Sequence, residues 1–407
     1  MSSQSLVCTA CGSLCDDIQV AIEGDHITTL ENACAKGAAL LYSSDNPERR
    51  ANSLIAGTKV SSEQAIEEAA HLLSKAENRL IFGLDNSTLE AQAAAIELAR
   101  KLGGIIDDSS SFSYAPLTQS ILTGDLPTCS LSEVKDNADL LIYWGSNPPH
   151  THPRHLSRFT YYAYTEYNPA GWFPKVTLSC VEVRDTELSL MCKPVFKLKP
   201  GGDKDFITAI LMEGKNGTEE SKRFVELTKN SQFCVIFCGS GLSYSLDNDF
   251  NLFNEMVHKL SQWTRIAVIP MVAEFNQRGF NQWLYKQTGY VNQVSFAGGI
   301  SQGSEFSFLE QVRNRLPDCV LIIGSDPFSN LPQSLMRNLQ GTSIICLDHF
   351  FTPTTNTAEV VIPIALPGLE CGGSAIRMDG DEIALVGLKK GEYPTAEEIL
   401  KQLAEKI

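Results

Sequence analysis

Four cysteines near the amino terminus have the residue type and the spacing of a metal-binding group. The group consists of Cys8, Cys11, Cys15 and Cys34. It follows the pattern C-x2-C-x3-C-x18-C, and Gly12 allows a tight turn that aims two sulfurs in the same direction. Thiolates at this spacing could hold a [4Fe–4S] cluster or a zinc ion, and the x3 step favours the cluster. A site without any metal is the third alternative.

A second group of chemically active side chains lies in WGSNPPHTHPRHLSR, at 144–158. Its histidines are His150, His152 and His155. An H-x-H pair on a loop after a strand can bind zinc in a hydrolase, and Asp348 or His349 could complete such a site. Arg154 and Arg158 instead favour the phosphates of a large anionic ligand. A structural role for the prolines and histidines, within a buried loop, is also open.

Two further segments, 275–290 and 366–380, have the glycines and arginines of ligand-binding loops. Arg278 and Arg377 are the residues that could contact phosphate there. The stretch FTYYAYTEYNPAGWFPK at 159–175 concentrates tyrosines and a tryptophan. Such aromatic residues predict an interface with another chain or an aromatic flap over the preceding loop.

The elements that position these residues alternate between helix and strand. The segment IQVAIEGDHITTL predicts a β-hairpin in a small Cys-rich subdomain. SSEQAIEEAAHLLSKA and STLEAQAAAIELARKLG have helical periodicity, with the apolar strand RLIFGLD between them. This alternation predicts an α/β fold with largely parallel sheets. We divide the chain into a Cys-rich hairpin subdomain at 1–50 and two α/β units at 51–225 and 226–407.

Three pairs of strand-like segments recur in the same order along the chain. RLIFGLDNS resembles FCVIFCGSG, DLLIYWGSNP resembles CVLIIGSDP, and VTLSCVEVRDT resembles SIICLDHFFTPT. The recurrence predicts two similar Rossmann-like units, each with ligand loops at the carboxyl ends of its strands. Two unrelated α/β domains are the alternative.

Composition narrows the function classes. The chain has 407 residues, and 33 Lys and Arg against 48 Asp and Glu give a net charge of −15. Such a charge disfavours nucleic acid as a partner. No apolar run reaches the roughly 20 residues that cross a bilayer, and the amino terminus does not resemble a secretory signal. We therefore expect a cytoplasmic protein, without a membrane partner, whose twelve cysteines are reduced or bound to metal.

Taken together, these segments resemble the B subunit of formylmethanofuran dehydrogenase. The shared motifs are CTACGSLCDDI, WGSNP with HPRH, VEVRDT, the segment from Arg278 to Tyr290, and RMDG. The resemblance implies a molybdopterin-oxidoreductase-like fold, a [4Fe–4S] cluster on the four amino-terminal cysteines, and a tungsten or molybdenum pterin. The residues that it implies at the pterin site are Asn147, His152, Arg154, His155, Arg184, Arg278 and Arg377.

One difference from this family decides the expected activity. The family has a metal-binding cysteine followed by His-Gly-Pro, whereas IIDDSSSFSYAP places Ser113, Tyr114 and Ala115 at the first three of those positions. A thiolate is the soft ligand that tungsten or molybdenum needs in this chemistry, and a serine oxygen is a harder donor. We therefore expect that the dehydrogenase activity is lost and doubt that the pterin is present.

This combination is similar to the B subunit of the formyltransferase/hydrolase complex of methylotrophic bacteria. The resemblance implies a non-redox, structural subunit in the conversion of formyl-tetrahydromethanopterin to formate through a formyl-methanofuran-like carrier, a step of formaldehyde oxidation. It implies three partners: an amidohydrolase-like A subunit, a C subunit and a formyltransferase D subunit. Two alternatives stay open, an active tungsten or molybdenum dehydrogenase and a zinc hydrolase that uses His150, His152 and His155.

Overall fold

The computed structural model describes residues 3–164, 176–212, 217–389 and 391–407. The strands are β1 Gln4–Leu6, β2 Ile18–Glu23, β3 His26–Glu31, β4 Leu54–Ile55, β5 Thr58–Lys59, β6 Arg79–Gly83, β7 Ile105–Asp107, β8 Leu140–Trp144, β9 Thr177–Glu182, β10 Val195–Lys197, β11 Phe233–Cys238, β12 Arg265–Pro270, β13 Val294–Ser295, β14 Ser301–Gln302, β15 Cys319–Ile323, β16 Ser343–Asp348, β17 Val360–Pro363, β18 Gly373–Ile376 and β19 Glu382–Leu385.

The α-helices are α1 Ala35–Ser43, α2 Ser62–Lys75, α3 Leu89–Leu102, α4 Ala115–Leu122, α5 Leu131–Asn137, α6 Pro148–Thr151, α7 His155–Arg158, α8 Asp203–Leu211, α9 Glu219–Lys229, α10 Ser240–Ser245, α11 Asn251–Leu260, α12 Gln277–Thr288, α13 Phe308–Arg313, α14 Pro327–Asn330, α15 Gln333–Met336, α16 Pro353–Thr357 and α17 Ala396–Lys406. Short 3-10 turns occur at Ser109–Phe112, Ser304–Phe306 and Arg337–Leu339.

Local sequence signals place the first helices of the α/β part. The side chain of Ser61 caps α2 in a capping box with Gln64, so the helix begins where its apolar periodicity begins. Thr88 caps α3, and Gly103 ends it with a left-handed φ of 61°. The predicted hairpin is present as the antiparallel pair of β2 and β3. These elements confirm the predicted α/β class.

Contacts between residues divide the chain into two compact units, which do not coincide with the predicted boundaries at 50 and 225. The main unit comprises 1–111, 274–377 and 382–407. The inserted unit comprises 112–273 and 378–381, so it interrupts the main unit in sequence. The small antiparallel sheet β1-β2-β3 belongs to the main unit.

The side chain of Arg50 ties the chain near residue 50 to other parts of the main unit. Arg50 is buried and pairs with Glu370 at 2.9 Å. Its guanidinium also lies 4.5 Å from the ring centre of Tyr393. The ion pair and the ring contact therefore join this segment to the carboxyl-terminal part of the main unit.

The inserted unit has a five-stranded, entirely parallel sheet in the order β10-β9-β8-β11-β12. Its central strands β9, β8 and β11 are almost fully buried, as expected for a parallel sheet covered by helices on both faces. Trp144 ends β8 inside this core, where its ring packs against Phe206, Phe224 and Phe253. Its indole N–H donates to Oδ1 of Asp203 at 2.7 Å.

The main unit has a nine-stranded mixed sheet whose central strands follow the order β17-β16-β15-β6-β7 and are parallel. Short antiparallel strands extend it on both edges: β13 and β14 beside β7, and β4 and β5 beside β17. The helices α2, α3 and α17 pack together on this sheet.

The three similar segment pairs occupy equivalent positions in the two sheets. β8 and β15 are central, β9 and β16 lie on one side of them, and β11 and β6 lie on the other. The predicted similarity of strands is therefore present, but the units are not contiguous halves of the chain. β6 and β15 pair directly although more than 200 residues separate them, because the inserted unit lies between them in sequence.

Across the described ranges, no helix combines the length and the apolar character that a membrane crossing needs.

Candidate functional site

The cysteine loop lies between β1 and β2 and contains three of the four predicted ligands. Cys8, Cys11 and Cys15 are all buried. Two backbone hydrogen bonds close the loop: the N–H of Cys8 donates to the carbonyl of Cys15 at 2.9 Å, and the N–H of Leu14 donates to the carbonyl of Cys11 at 3.1 Å. The loop is therefore a fixed turn that holds three thiols out of solvent.

Cys34 joins this loop from the start of α1. Its Sγ accepts a hydrogen bond from the backbone N–H of Gly37 at 3.4 Å. A Cβ atom built on Gly37 would lie 2.9 Å from Sγ of Cys8 and 3.9 Å from Sγ of Cys34. The two sulfurs thus share the space that the glycine leaves open.

The thiols in this group influence one another electrostatically. Burial raises the pKa of Cys8 to about 12, and the neighbouring thiols of Cys11 and Cys34 contribute to this rise. Burial also raises the pKa of Cys11, whereas the ammonium of Lys36 lowers it. Such thiols stay protonated without a cation, and binding of a metal would have to displace their protons.

The geometry does not fit a single zinc ion, which needs its ligands within about 2.3 Å of one point. In the part of the chain that the structure describes, no group of three or more His, Cys, Asp or Glu side chains is arranged to hold one metal ion. A [4Fe–4S] cluster makes a different demand, because each thiolate binds its own iron and the sulfurs need not converge on one point.

The histidine loop has a structural rather than a metal-binding geometry. Nε2 of His152 lies 2.8 Å from the carbonyl oxygen of Val272, and Nδ1 lies 2.9 Å from the hydroxyl of Thr151. His155 is fully buried against the rings of Tyr143 and Phe237. Burial holds its pKa well below the usual range, so its ring is neutral.

This arrangement contradicts the zinc-hydrolase hypothesis for the loop. His150 is exposed, and the ring centres of His152 and His155 lie 6.4 Å apart. Both nitrogens of His152 already have polar contacts, so they are committed within the protein fold. The three histidines therefore do not present nitrogens to one ion.

A cavity of about 750 Å³ lies at the carboxyl ends of the strands of the inserted unit, and we call it the inserted-unit cavity. Its wall includes Asn147 after β8, Arg184 after β9 and Ser240 after β11, together with Tyr114 and His150. Parallel α/β sheets bind ligands at this edge. Two of the predicted pterin residues, Asn147 and Arg184, are thus brought to one cavity.

Glycines keep this edge open. Gly145 has a φ of 60°, and a Cβ there would lie 2.9 Å from the backbone nitrogen of Leu242. A Cβ on Gly239 would lie only 2.0 Å from the carbonyl oxygen of Gly145. The loops after β8 and β11 therefore approach each other more closely than side chains would allow.

The other predicted pterin residues lie elsewhere. Arg154 is half-buried in the histidine loop, whereas Arg278 and Arg377 are buried in the main unit. Trp144, at the start of the segment that contains the histidines, lies in the core. Ser113 is half-buried in the turn before α4. The neighbouring Tyr114 is buried and interacts with the hydroxyl of Ser240, and burial raises its pKa to about 12.

The main unit has a cavity of about 410 Å³ at the equivalent edge, and we call it the main-unit cavity. Its wall includes Asp85 after β6, Asp326 after β15, and Asp348 with His349 at the end of β16. Thr9, from the cysteine loop, also lines it. Burial raises the pKa of Asp85 and of Asp348 to about 7 and lowers that of His349 to about 4.

Of these acidic residues, only Asp348 was a candidate site residue from the sequence, and the group as a whole was not expected. The available signal was an aspartate at or shortly after three apolar strands, in RLIFGLD, CVLIIGSD and IICLD. Such positions gather at one edge when the strands are parallel neighbours. That neighbourhood depends on the pairing of β6 with β15, which the sequence does not indicate.

Relatives of known name cover almost the entire chain. The chain is 32% identical to the B subunit of the tungsten-containing formylmethanofuran dehydrogenase 2 of Methanocaldococcus jannaschii, over 99% of this chain and 98% of that protein. The chain belongs to the family of formylmethanofuran dehydrogenase B subunits. The protein of the same name from Methanococcus maripaludis is 29% identical, with the same coverage of both chains. No protein-family model matches the sequence.

A solved structure shares the fold of this member of the B-subunit family. It is the formyltransferase/hydrolase complex FhcABCD from Methylorubrum extorquens, in complex with methylofuran. A chain of that complex matches with a TM-score of 0.71 and 19% identity, over 87% of this chain and 98% of that one. The predicted resemblance to the dehydrogenase B subunit is confirmed, and the solved structure shows that a chain of the bacterial complex has the same fold.

Proposed function

We propose that this protein is a non-redox, structural B subunit of a complex that converts formyl-tetrahydromethanopterin to formate through a formyl-methanofuran-like carrier. Membership of the B-subunit family and the fold shared with a chain of FhcABCD support a role in formyl-methanofuran chemistry. The observation that carries the non-redox part is the serine at position 113.

The surroundings of Ser113 support a lost metal site. Ser113 offers an oxygen donor, which is a poor substitute for the soft sulfur ligand of tungsten or molybdenum. Tyr114 follows it, and its buried ring and its contact with Ser240 commit this residue to the cavity wall. Neither side chain supplies the thiolate or the imidazole of the dehydrogenase motif.

We also propose that Cys8, Cys11, Cys15 and Cys34 bind a [4Fe–4S] cluster. The buried thiols and the glycine gap beside two of them support this assignment. A bound cluster would supply one-electron chemistry and would hold the loop between β1 and β2 to the start of α1. Zinc is a weaker alternative because, among the described residues, the ligands do not converge on one ion.

The proposed partners are an amidohydrolase-like A subunit, a C subunit and a formyltransferase D subunit. The structural match to a chain of the FhcABCD complex supports these partners. Part of the aromatic stretch predicted as an interface, 165–175, lies outside the described residues. Within the described part, Tyr162 and Tyr164 are exposed and fit a surface that another chain covers. We also infer a cytoplasmic location, which is supported by twelve described cysteines that form no disulfide.

An active tungsten or molybdenum dehydrogenase is the second candidate. Two observations favour it: the relatives from methanogens are tungsten-containing, and both units keep a sizeable cavity at the edge where a dinucleotide binds. A pterin with two nucleotide arms could use Asn147 and Arg184 in the inserted unit. Arg278 and Arg377 would have to act from buried positions in the main unit.

Metal analysis of the complex purified through a tag on this chain distinguishes the candidates. We expect about four iron and four sulfide atoms per chain, and neither tungsten nor molybdenum. Cys11→Ala should remove the iron without changing formate release. Cys371 is a half-buried cysteine outside the group, so the control variant Cys371→Ala should keep its iron. Stoichiometric tungsten or molybdenum would refute the non-redox proposal, and a complex free of iron would refute the cluster.

A further inference from the structure

Two buried carboxyl groups that the proposed function does not use meet in the main unit. Asp85 follows β6 and Asp108 follows β7, and these strands are parallel neighbours that end at the same edge of the sheet. Asp85 is 1% exposed and Asp108 is 0% exposed. Their side chains are within hydrogen-bonding distance of each other.

The surrounding donors satisfy only part of this pair. The carboxylate of Asp108 accepts from the hydroxyl of Ser110 and, at 3.0 Å, from Nδ2 of Asn281. Oδ2 of Asp85 accepts from the backbone N–H of Ser109 at 3.3 Å. Oδ1 of Asp85 is buried and has no N–H or O–H donor among the described residues. A proton held between the two carboxyl groups would satisfy it.

The nearest charges make two ionised carboxylates unfavourable. Glu274 lies beside Asp85, and Asp107, whose own pKa burial raises to about 7, lies beside Asp108. Both neighbours add negative charge when they are ionised. The helix α12 contributes neutral Asn281, and its buried cation is Arg278. Burial raises the pKa of both members of the pair, that of Asp85 to about 7.

We propose that Asp85 and Asp108 share one proton and form a proton-exchange site in the wall of the main-unit cavity. Asp85 and Ser109 line this cavity, so the site borders the space that a ligand would occupy. The other charged groups of the cavity wall are Lys36, Arg49, Glu274, Asp326 and Asp348, and His349 is its further titratable group. The proton comes from solvent and returns to it, and no electron transfer is involved. An anion that enters the cavity would therefore bind with uptake of a proton, and a cation with release of one.

Potentiometric titration of the folded complex between pH 9 and pH 6 tests this proposal. We expect Asp85→Asn and Asp108→Asn each to take up about one proton fewer per molecule than the wild type. The double variant should also take up about one proton fewer, because the pair holds a single proton in total. Asp185→Asn removes an exposed carboxylate that pairs with Lys197, and it should leave the uptake unchanged.

Two results would overturn the proposal. Single variants with wild-type proton uptake would show that the pair holds no proton in this range. A double variant that loses about two protons would show that the carboxyl groups titrate independently. If circular dichroism shows that an Asn variant has not folded, Glu274→Gln replaces it, since loss of this negative neighbour should shift the uptake to lower pH, and an unshifted curve would overturn the proposal.

Discussion

The substitution Gly37→Ala tests whether the space between Cys8 and Cys34 is built for a cluster. The new Cβ would lie 2.9 Å from Sγ of Cys8, which is closer than real Cβ atoms approach a sulfur, so the thiol has to move. Cys8 is buried, and its displacement would cost about 1–3 kcal/mol, as overpacking of a core does. Alanine has a higher helix propensity than glycine, so the substitution within α1 also stabilises the folded protein by about 1 kcal/mol.

The net effect on stability is therefore small, whereas the effect on the metal site is large. A ligand sphere needs its donors within about 0.5 Å of their working positions, and this contact displaces one of the four sulfurs. We expect the variant to fold with a urea midpoint close to that of the wild type. Its iron and acid-labile sulfide should fall to less than about a third of the wild-type content, and its visible absorption should fall with them.

Gly24→Ala is the matched control in the same subdomain. Gly24 lies in the turn between β2 and β3 with a φ of 60°, and a Cβ there would meet no atom within 4 Å. The control costs about 1 kcal/mol of backbone strain without touching a thiol, so it should keep its iron. A folded Gly37→Ala protein with wild-type iron content would refute the reasoning, because the gap beside Gly37 would then have no bearing on a cluster.

Three further predictions concern the fold that holds these sites. Arg50→Met leaves the carboxylate of Glu370 buried without its partner and should lower the free energy of unfolding by about 3–5 kcal/mol in urea titrations, and adding Glu370→Gln should restore part of the loss. Ser61→Ala removes the cap of α2 and should cost about 1 kcal/mol, and an unchanged urea midpoint would contradict this role. His349→Gln should reduce the loss of stability between pH 6.5 and pH 4: burial lowers the pKa of His349 to about 4, so below pH 6.5 the unfolded chain binds a proton that the folded chain excludes. Equal acid sensitivity of the variant and the wild type would show that His349 is not responsible.

The local elements could be predicted from the sequence because their signals are local. The periodicity and caps of α2 and α3, the apolar run of β6 and the hairpin of β2 and β3 each lie within about fifteen residues. The three similar segment pairs also indicated which strands are equivalent. Their similarity reflects a strand and loop that occur in both units, and it can be seen directly in the amino-acid sequence.

The division into units could not be predicted in the same way. β6 and β15 are far apart in sequence, and the residues of neither strand indicate which strand it pairs with. Burial is equally hidden from sequence patterns. His152 and His155 are two of the three candidate zinc ligands, yet one contacts a backbone carbonyl and the other packs among aromatic rings. Arg50 lies in a polar segment that resembles a linker, and it is buried in an ion pair.

The repeated design clarifies the role of Asn147, one of the predicted pterin residues. Gly145 and Gly324 both have left-handed φ values, 60° and 57°, after the central strand of their sheet. Asn147 and Asp326 each come directly before a four-residue helix. Their backbone φ angles are almost the same, −120° for Asn147 and −122° for Asp326.

The side chains of this equivalent pair both bind to the segment that follows the neighbouring strand. Nδ2 of Asn147 donates to Glu187 at 2.6 Å, and its Oδ1 accepts from the N–H of Leu188 at 3.2 Å. Oδ1 of Asp326 accepts from both the N–H and the hydroxyl of Thr354. Asn147 and Asp326 differ in charge but make equivalent contacts, which indicates a structural role, so Asn147 shapes the cavity edge. Among the predicted residues at the inserted-unit cavity, exposed Arg184 is therefore the stronger candidate for contact with an anionic ligand.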